Sequence, residues 1–184
     1  SRGRAESSRL LLSALEIKYD EVVYDRCGST CEEGIVDWPT AKKEGLASGS
    51  LPFGQVPSVT YHGKHLVQSM AILRYICDMN ERTPDVDVYY DIDAFVGAYN
   101  DLRSKYSKLV YDNTIHEAGS TKIDDYKKVA STWLGYMENF VGEESEWIGG
   151  SEEWSFADVL CFEIVDMNVR LDPFLVKKIP TLMR

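Results

Sequence analysis

An α+β unit followed by an all-helical one is the fold class this chain predicts, on three observations. The alternating run Ser58-Val59-Thr60-Tyr61 meets the turn signal His62-Gly63 and a second short run, Lys64 to Val67, which together make a hairpin. The apolar period then lapses over Glu81-Arg82-Thr83-Pro84-Asp85-Val86-Asp87, a polar stretch broken by proline. Beyond it, apolar residues recur three and four positions apart, the spacing of one helix face. The expected division is a first domain over 1–80, a linker over 81–87 and a helical domain over 88–184.

The elements follow in order. Ala5 to Ile17 predicts a helix, with Leu11, Leu12 and Leu15 as its apolar face. Tyr19 to Tyr24, with aromatic and β-branched residues, predicts a strand. Residues 25–50 are expected as a long polar loop carrying Cys27, Cys31, Trp38 and Lys42. Val56-Pro57 leads into the hairpin, and Ser69 precedes Ile72, Leu73, Ile76 and Met79 as a candidate helix N-cap. Helix, strand and hairpin fit a thioredoxin-like βαβ–ββα module whose first strand is missing from the given chain. In such a sheet that strand is central, so the strand at Tyr19 is expected without a parallel neighbour, and the chain as a piece of something longer.

In the second half, Ile92, Phe95, Val96, Tyr99, Leu102, Tyr106, Leu109 and Val110 predict a helix of about thirty residues, ended by Ala118-Gly119-Ser120. A second helix is expected from Lys122 to Phe140, then a turn at Trp147-Ile148-Gly149-Gly150. Ser155-Phe156-Ala157-Asp158 opens a third helix as a capping box, its face formed by Val159, Leu160, Phe162, Ile164 and Val165. Asp172-Pro173 starts a short helical turn, and Ile179 onward another.

Acidic residues outnumber basic ones 30 to 20, a formal charge of −10, which argues against nucleic acid or an anionic membrane as partner. No apolar run approaches the ~18 residues of a membrane span. Four cysteines in 184 residues are too sparse for a disulfide scaffold. Cys27-Gly28-Ser29-Thr30-Cys31 is compatible with half a metal site or a loop disulfide, but no second pair sits at zinc-ligand spacing. Free thiols, no metal and a cytoplasmic location are the expectation.

Some residues invite two readings. Gln68-Ser69 is either an ordinary cap or, with the backbone N–H groups of a helix N-terminus, a seat for a carboxylate. Trp38 and Lys42, one helical turn apart, are either a core-edge indole and a solvated ammonium or two donors that hold a carboxylate. Phe53 lies between Gly/Pro breakers, where it packs on its own domain or stays exposed. His62, His65 and His116 belong to no triad or metal spacing and are expected at the surface.

The run Pro52-Phe53-Gly54-Gln55-Val56-Pro57 through Gln68-Ser69-Met70-Ala71-Ile72-Leu73-Arg74-Tyr75 closely resembles the glutathione-binding part of the cytosolic glutathione S-transferases of sigma, pi, mu and alpha type. Trp38-Pro39-Thr40-Ala41-Lys42 is similar to the sigma type, Asn100 to Tyr111 to the pi type, and Ser155-Phe156-Ala157-Asp158 to a capping motif of the superfamily. The resemblance implies a glutathione-conjugating transferase of detoxification type, acting on a hydrophobic electrophile, with glutathione as substrate. It implies that Gln55, Val56, a cis Pro57, Gln68 and Ser69 hold the tripeptide, with Trp38 and Lys42 at its glycine end and Arg4 in contact. It further implies a homodimer in which Phe53 plugs the partner and Asp101 reaches the γ-glutamyl amine, and an electrophile-site role for Tyr111. Without the resemblance, Asp101 is a solvated charge and Tyr111 a core aromatic. The catalytic tyrosine is expected upstream of Ser1, and none of the eleven tyrosines present is given its role. The alternatives are a glutathione-dependent isomerase or peroxidase, prostaglandin-isomerase-like, and a non-catalytic ligand-binding or crystallin-like relative.

Overall fold

In the computed structural model, residues 3–25, 27–141 and 146–184 are described. The chain divides into two compact units, Ser1–Glu81 and Arg82–Arg184. In the first, α1 (Glu6–Ala14) buries Leu11 and Leu12 and packs on α3 (Ser69–Asp78), which buries Ile72, Leu73, Ile76 and Cys77. Both apolar faces follow the period of the sequence, since side chains three and four apart share a helix face.

Strands β3 (Ser58–Tyr61) and β4 (Lys64–Val67) form the expected antiparallel hairpin, with Ser58 opposite Val67 and Tyr61 opposite Lys64. The strand expected at Tyr19 is shorter and later: β1 spans only Val23–Asp25. Upstream of it Glu21 is drawn to α1, where Arg9 Nε donates to Glu21 Oε1 at 2.9 Å.

The expectation that this strand lacks a parallel neighbour is overturned. β1 pairs in parallel with β2 (Ile35–Asp37), Val23 opposite Ile35, inside the segment expected as loop. That segment also folds into α2 (Trp38–Ser48), capped by Asp37, whose carboxylate accepts from Thr40 N–H, and stopped by Gly49 at φ 78°. Cys27 and Cys31 are joined as a disulfide around a 3-10 turn, Gly28–Thr30, not left as free thiols. The turn brings their Cα atoms to 4.9 Å, within the range a disulfide bridges. Among the described residues the two sheets, β1-β2 and β3-β4, remain separate. A cavity of about 1160 Å³ is lined by parts of α1, β1 and β3.

The second unit is helical. α4 (Val86–Val110) buries Ile92, Phe95, Val96, Tyr99 and Leu102, and packs against α5 (Lys122–Val141) and α6 (Phe156–Leu171). α4 ends at Val110, short of the Ala118-Gly119-Ser120 break expected to close it. Beyond Tyr111 the chain turns at Asp112, whose carboxylate accepts from Thr114 N–H at 2.9 Å and from Lys122 Nζ at 2.6 Å. The third helix begins as expected: Ser155 Oγ accepts from Ala157 N–H at 3.1 Å and Asp158 Oδ2 from Ser155 N–H at 2.7 Å. Phe162, expected on its buried face, is 58% exposed. The last helical turn is a 3-10 stretch, Pro173–Lys178; the chain beyond forms a turn, with Thr181 and Leu182 N–H donating to the Glu138 carboxylate. Among the described residues, no helix is long and apolar enough to cross a membrane.

The core of this unit contains a charge. Glu163 is fully buried on α6, accepting from Tyr99 Oη at 2.9 Å and facing Arg103 Nε at 3.4 Å. Burial, and then the negative Glu163 beside it, raise the Tyr99 phenol far above its ordinary value, so it stays a donor. Removing the cation strands an anion. Arg103→Met is expected to cost about 3–5 kcal/mol in urea unfolding, and Arg103→Met/Glu163→Met to recover a large part of it. Ser155→Ala, which empties one half of the capping box, is expected to cost about 1 kcal/mol in the same measurement.

Candidate functional site

The hairpin register builds the site. Because Ser58 stands opposite Val67, the next residues outward, Pro57 and Gln68, are brought to the same open end. The Val56–Pro57 peptide is cis, as the resemblance implies. Val56 is exposed, and among the described residues its N–H and C=O make no backbone hydrogen bond. An extended ligand backbone can pair with that free edge as a strand would.

Across the opening, Gln68 occupies the cap position of α3 in a left-handed conformation, φ 70° and ψ 113°, and its side chain makes no cap bond. Ser69, expected as the cap, is instead the first helical residue. The first intrahelical bond runs from Ile72 N–H to the Gln68 carbonyl at 2.9 Å, so the N–H groups of Ser69, Met70 and Ala71 precede the ladder. Orphan donors at the positive end of a helix dipole attract an anion.

A notch of about 20 Å³ is lined by Arg4, Phe53, Gln55, Val56, Pro57, Val67, Gln68 and Ser69. It holds about one water-sized group, so a larger ligand lies across it and presents one polar head. The structure thus brings together Arg4, Gln55, Val56, Pro57, Gln68 and Ser69 of the predicted set, with Phe53 on the rim. Phe53 is 62% exposed rather than packed on its own domain.

Trp38 and Lys42 do not line the notch. Trp38 opens α2, half-buried, its ring edge-on to Tyr24 at 5.6 Å between centroids. Lys42 is exposed one turn on, and its stem crosses Gly54: a Cβ there would stand 2.8 Å from Lys42 Cε. Gly54 also has φ 56°, so both its backbone and its neighbour favour glycine. The Lys42 stem therefore lies against the residue just before Gln55. Asp101 and Tyr111 belong to the second unit. Asp101 is exposed on α4, and Tyr111, just past the end of α4, is 73% exposed rather than a core aromatic.

Sequence reasoning missed Asp37. Its carboxylate accepts from Gly28 N–H at 2.9 Å and from Thr40 N–H at 3.1 Å and Oγ1 at 2.6 Å. The Thr40 hydroxyl first, then Gly28 N–H, hold its carboxyl below the usual carboxylate range. An Asp two residues before a proline was the available signal, since Asp caps helices and Pro suits a first turn.

Comparison with known proteins gives this geometry a family. A family model described as "Glutathione S-transferase, N-terminal domain" matches residues 35–78, and one described as "Glutathione S-transferase, C-terminal domain" matches residues 100–184. The chain is 29% identical over 192 residues to a glutathione S-transferase of Dirofilaria immitis, covering 98% of this chain and 79% of that one. It is 27% identical over 152 residues to the hematopoietic prostaglandin D synthase of Rattus norvegicus, covering 79% and 69%. A solved Pi-class glutathione S-transferase of Onchocerca volvulus superposes with a TM-score of 0.76 at 27% identity, covering 99% and 80%. The two matched segments, the near-complete overlap with that structure and the thioredoxin-like unit followed by a helical one agree: this chain belongs to the glutathione S-transferase family.

Proposed function

We propose that this chain conjugates the glutathione thiol to electrophilic small molecules, with the rim from Trp38 past Val56 to Gln68 and Ser69 holding the tripeptide. The observation that carries the reading is the convergence of Gln55, Val56, Pro57, Gln68 and Ser69 on one notch beside the N–H groups that precede the α3 hydrogen-bond ladder. The γ-glutamyl carboxylate suits that end, where Ser69 N–H, the Ser69 hydroxyl and the Gln68 amide offer donors. The Val56 N–H and C=O pair with the cysteinyl backbone. Trp38 Nε1 and Lys42 Nζ, both donors, take the glycine carboxylate, and Arg4 adds a cation at the shared rim.

A free thiol titrates near pKa ~8.5, so only a few per cent is thiolate at neutral pH. Rate acceleration needs a donor aimed at that sulfur and an electrophile held against it. The residues assigned here do the holding, and no tyrosine of this chain is given the sulfur contact. Tyr111 serves the electrophile side in this reading. The protein acts in the cytoplasm as a detoxifying homodimer, Phe53 inserting into the partner and Asp101 pairing with the γ-glutamyl ammonium. The strong exposure of an apolar Phe53 supports a partner for it. A glutathione-dependent isomerase is the second reading, favoured by the similarity to a prostaglandin D synthase.

Isothermal calorimetry is expected to detect glutathione binding at millimolar concentrations or below, and turnover of chlorodinitrobenzene to follow it. Binding without turnover supports the isomerase or a non-catalytic binder, and no binding overturns the proposal. Ser69→Ala removes a hydrogen bond to a charged group, about 1.5–3 kcal/mol, so the Kd for glutathione is expected to rise roughly 10–100-fold. Lys42→Ala, which removes the ammonium assigned to the glycine carboxylate, is expected to raise the KM for glutathione while leaving kcat within about a factor of two, because it touches binding alone.

A further inference from the structure

Three side chains ahead of α2 are left unused by the proposed function. Cys27 and Cys31 flank the turn Gly28–Thr30, and Asp37 folds back over it through the bond from Gly28 N–H. The two sulfurs and an Asp37 carboxylate oxygen all lie within 4.8 Å of one another, and all three residues are half-buried. Around a tetrahedral ion with ~2.3 Å bonds to sulfur and ~2.1 Å to oxygen, neighbouring ligand atoms stand roughly 3.5–3.8 Å apart. With the sulfur–sulfur bond opened, the sulfurs move apart and the carboxylate, at most 4.8 Å away, closes by at most about 1 Å to reach that spacing.

We infer that Cys27, Cys31 and Asp37 form a redox-gated site for a soft divalent cation such as Zn²⁺ or Cd²⁺, closed as the disulfide and opened by a low-molecular-weight thiol.

The opening step balances. One external thiolate attacks a cysteine sulfur, the Cys27–Cys31 bond breaks, and the other cysteine leaves as a thiolate. A second external thiolate attacks the mixed disulfide and releases the second cysteine. Two external thiols are oxidised to their disulfide, and the protein gains two thiols. The cation then displaces the two thiol protons and is held by two thiolates and a carboxylate, with water in the fourth position.

Asp37 can serve without leaving its cap. Oδ2 already accepts from Thr40 N–H and Oγ1, whereas among the described residues Oδ1 accepts only from Gly28 N–H, which leaves a lone pair for the metal. Exposed Glu32 and Glu33 between Cys31 and Asp37 add a negative field that concentrates cations. Thiolate ligands select soft metals over Mg²⁺ or Ca²⁺.

The test uses the full chain, reduced with a phosphine, freed of excess reductant without oxygen and titrated with Cd²⁺ alone. The reduced protein is expected to show a saturable thiolate-to-cadmium charge-transfer band at one equivalent, displaced by Zn²⁺, and the unreduced protein none. Cys27→Ser and Cys31→Ser are each expected to lose it. Asp37→Ser keeps a capping oxygen but removes the carboxylate; with far-ultraviolet circular dichroism unchanged, its Cd²⁺ affinity is expected to fall at least the roughly 10-fold that losing an outer partner costs. A reduced protein without the band, or an equal band in Cys31→Ser from the buried Cys77 and Cys161, overturns the site. Unchanged affinity in Asp37→Ser overturns the part of the carboxylate.

Discussion

The pairing of β3 with β4 governs the first unit. With Ser58 opposite Val67, the chain enters the hairpin at Val56–Pro57 and leaves it at Gln68–Ser69, so two segments eleven residues apart in sequence meet at one edge. A slip of one residue would turn every side chain of one strand to the opposite face and carry Leu66 out of the core. The notch, the orphan N–H groups and the free Val56 backbone are consequences of that register. Residues elsewhere, such as Trp38 and Lys42, extend the edge but do not create it.

What the sequence made legible was local. The hairpin was readable because alternation and a Gly turn act over a few residues, and the Ser155 capping box because its four residues contain both partners. The residues lining the notch came from the family resemblance; spacing alone left Gln68-Ser69 open between an ordinary cap and a carboxylate seat. β2 and α2 were not legible in the same way. β2 has three residues and owes its existence to Val23, ten and more positions away, a parallel contact that no local pattern announces. α2 buries only Gly45, so it lacks the apolar stripe by which helices are recognised, and its signals were its ends, Asp37 and Gly49. The end of α4 was misjudged because the break was placed at Ala118-Gly119-Ser120, while the Asp112 turn, held by Thr114 and Lys122, stops the helix at the end of its apolar pattern.

The second unit solves a different problem. A long helix must be covered, and α4 presents Tyr99 and Arg103 on the turn that meets α6, where Glu163 is fully buried. A second polar contact, Tyr126 Oη donating to Asn168 Oδ1 at 2.8 Å, ties α5 to the same helix, and the Asn168 amide in turn donates to the Ile164 carbonyl at 2.7 Å. Apolar side chains tolerate many neighbouring registers, but directional bonds do not. These contacts fix how α4, α5 and α6 slide along one another.

Gln68 has a bearing on which substitutions the protein can accept. A residue with a side chain at φ 70° costs of order 1–2 kcal/mol relative to a relaxed backbone, a penalty glycine would escape. Folding alone would therefore favour glycine at this position, and β-branched residues are shut out by the same geometry. That a long amide stands there instead, making no cap bond of its own, separates two selective pressures: stability pulls toward the smallest residue, and whatever rests at the mouth of α3 pulls toward the amide.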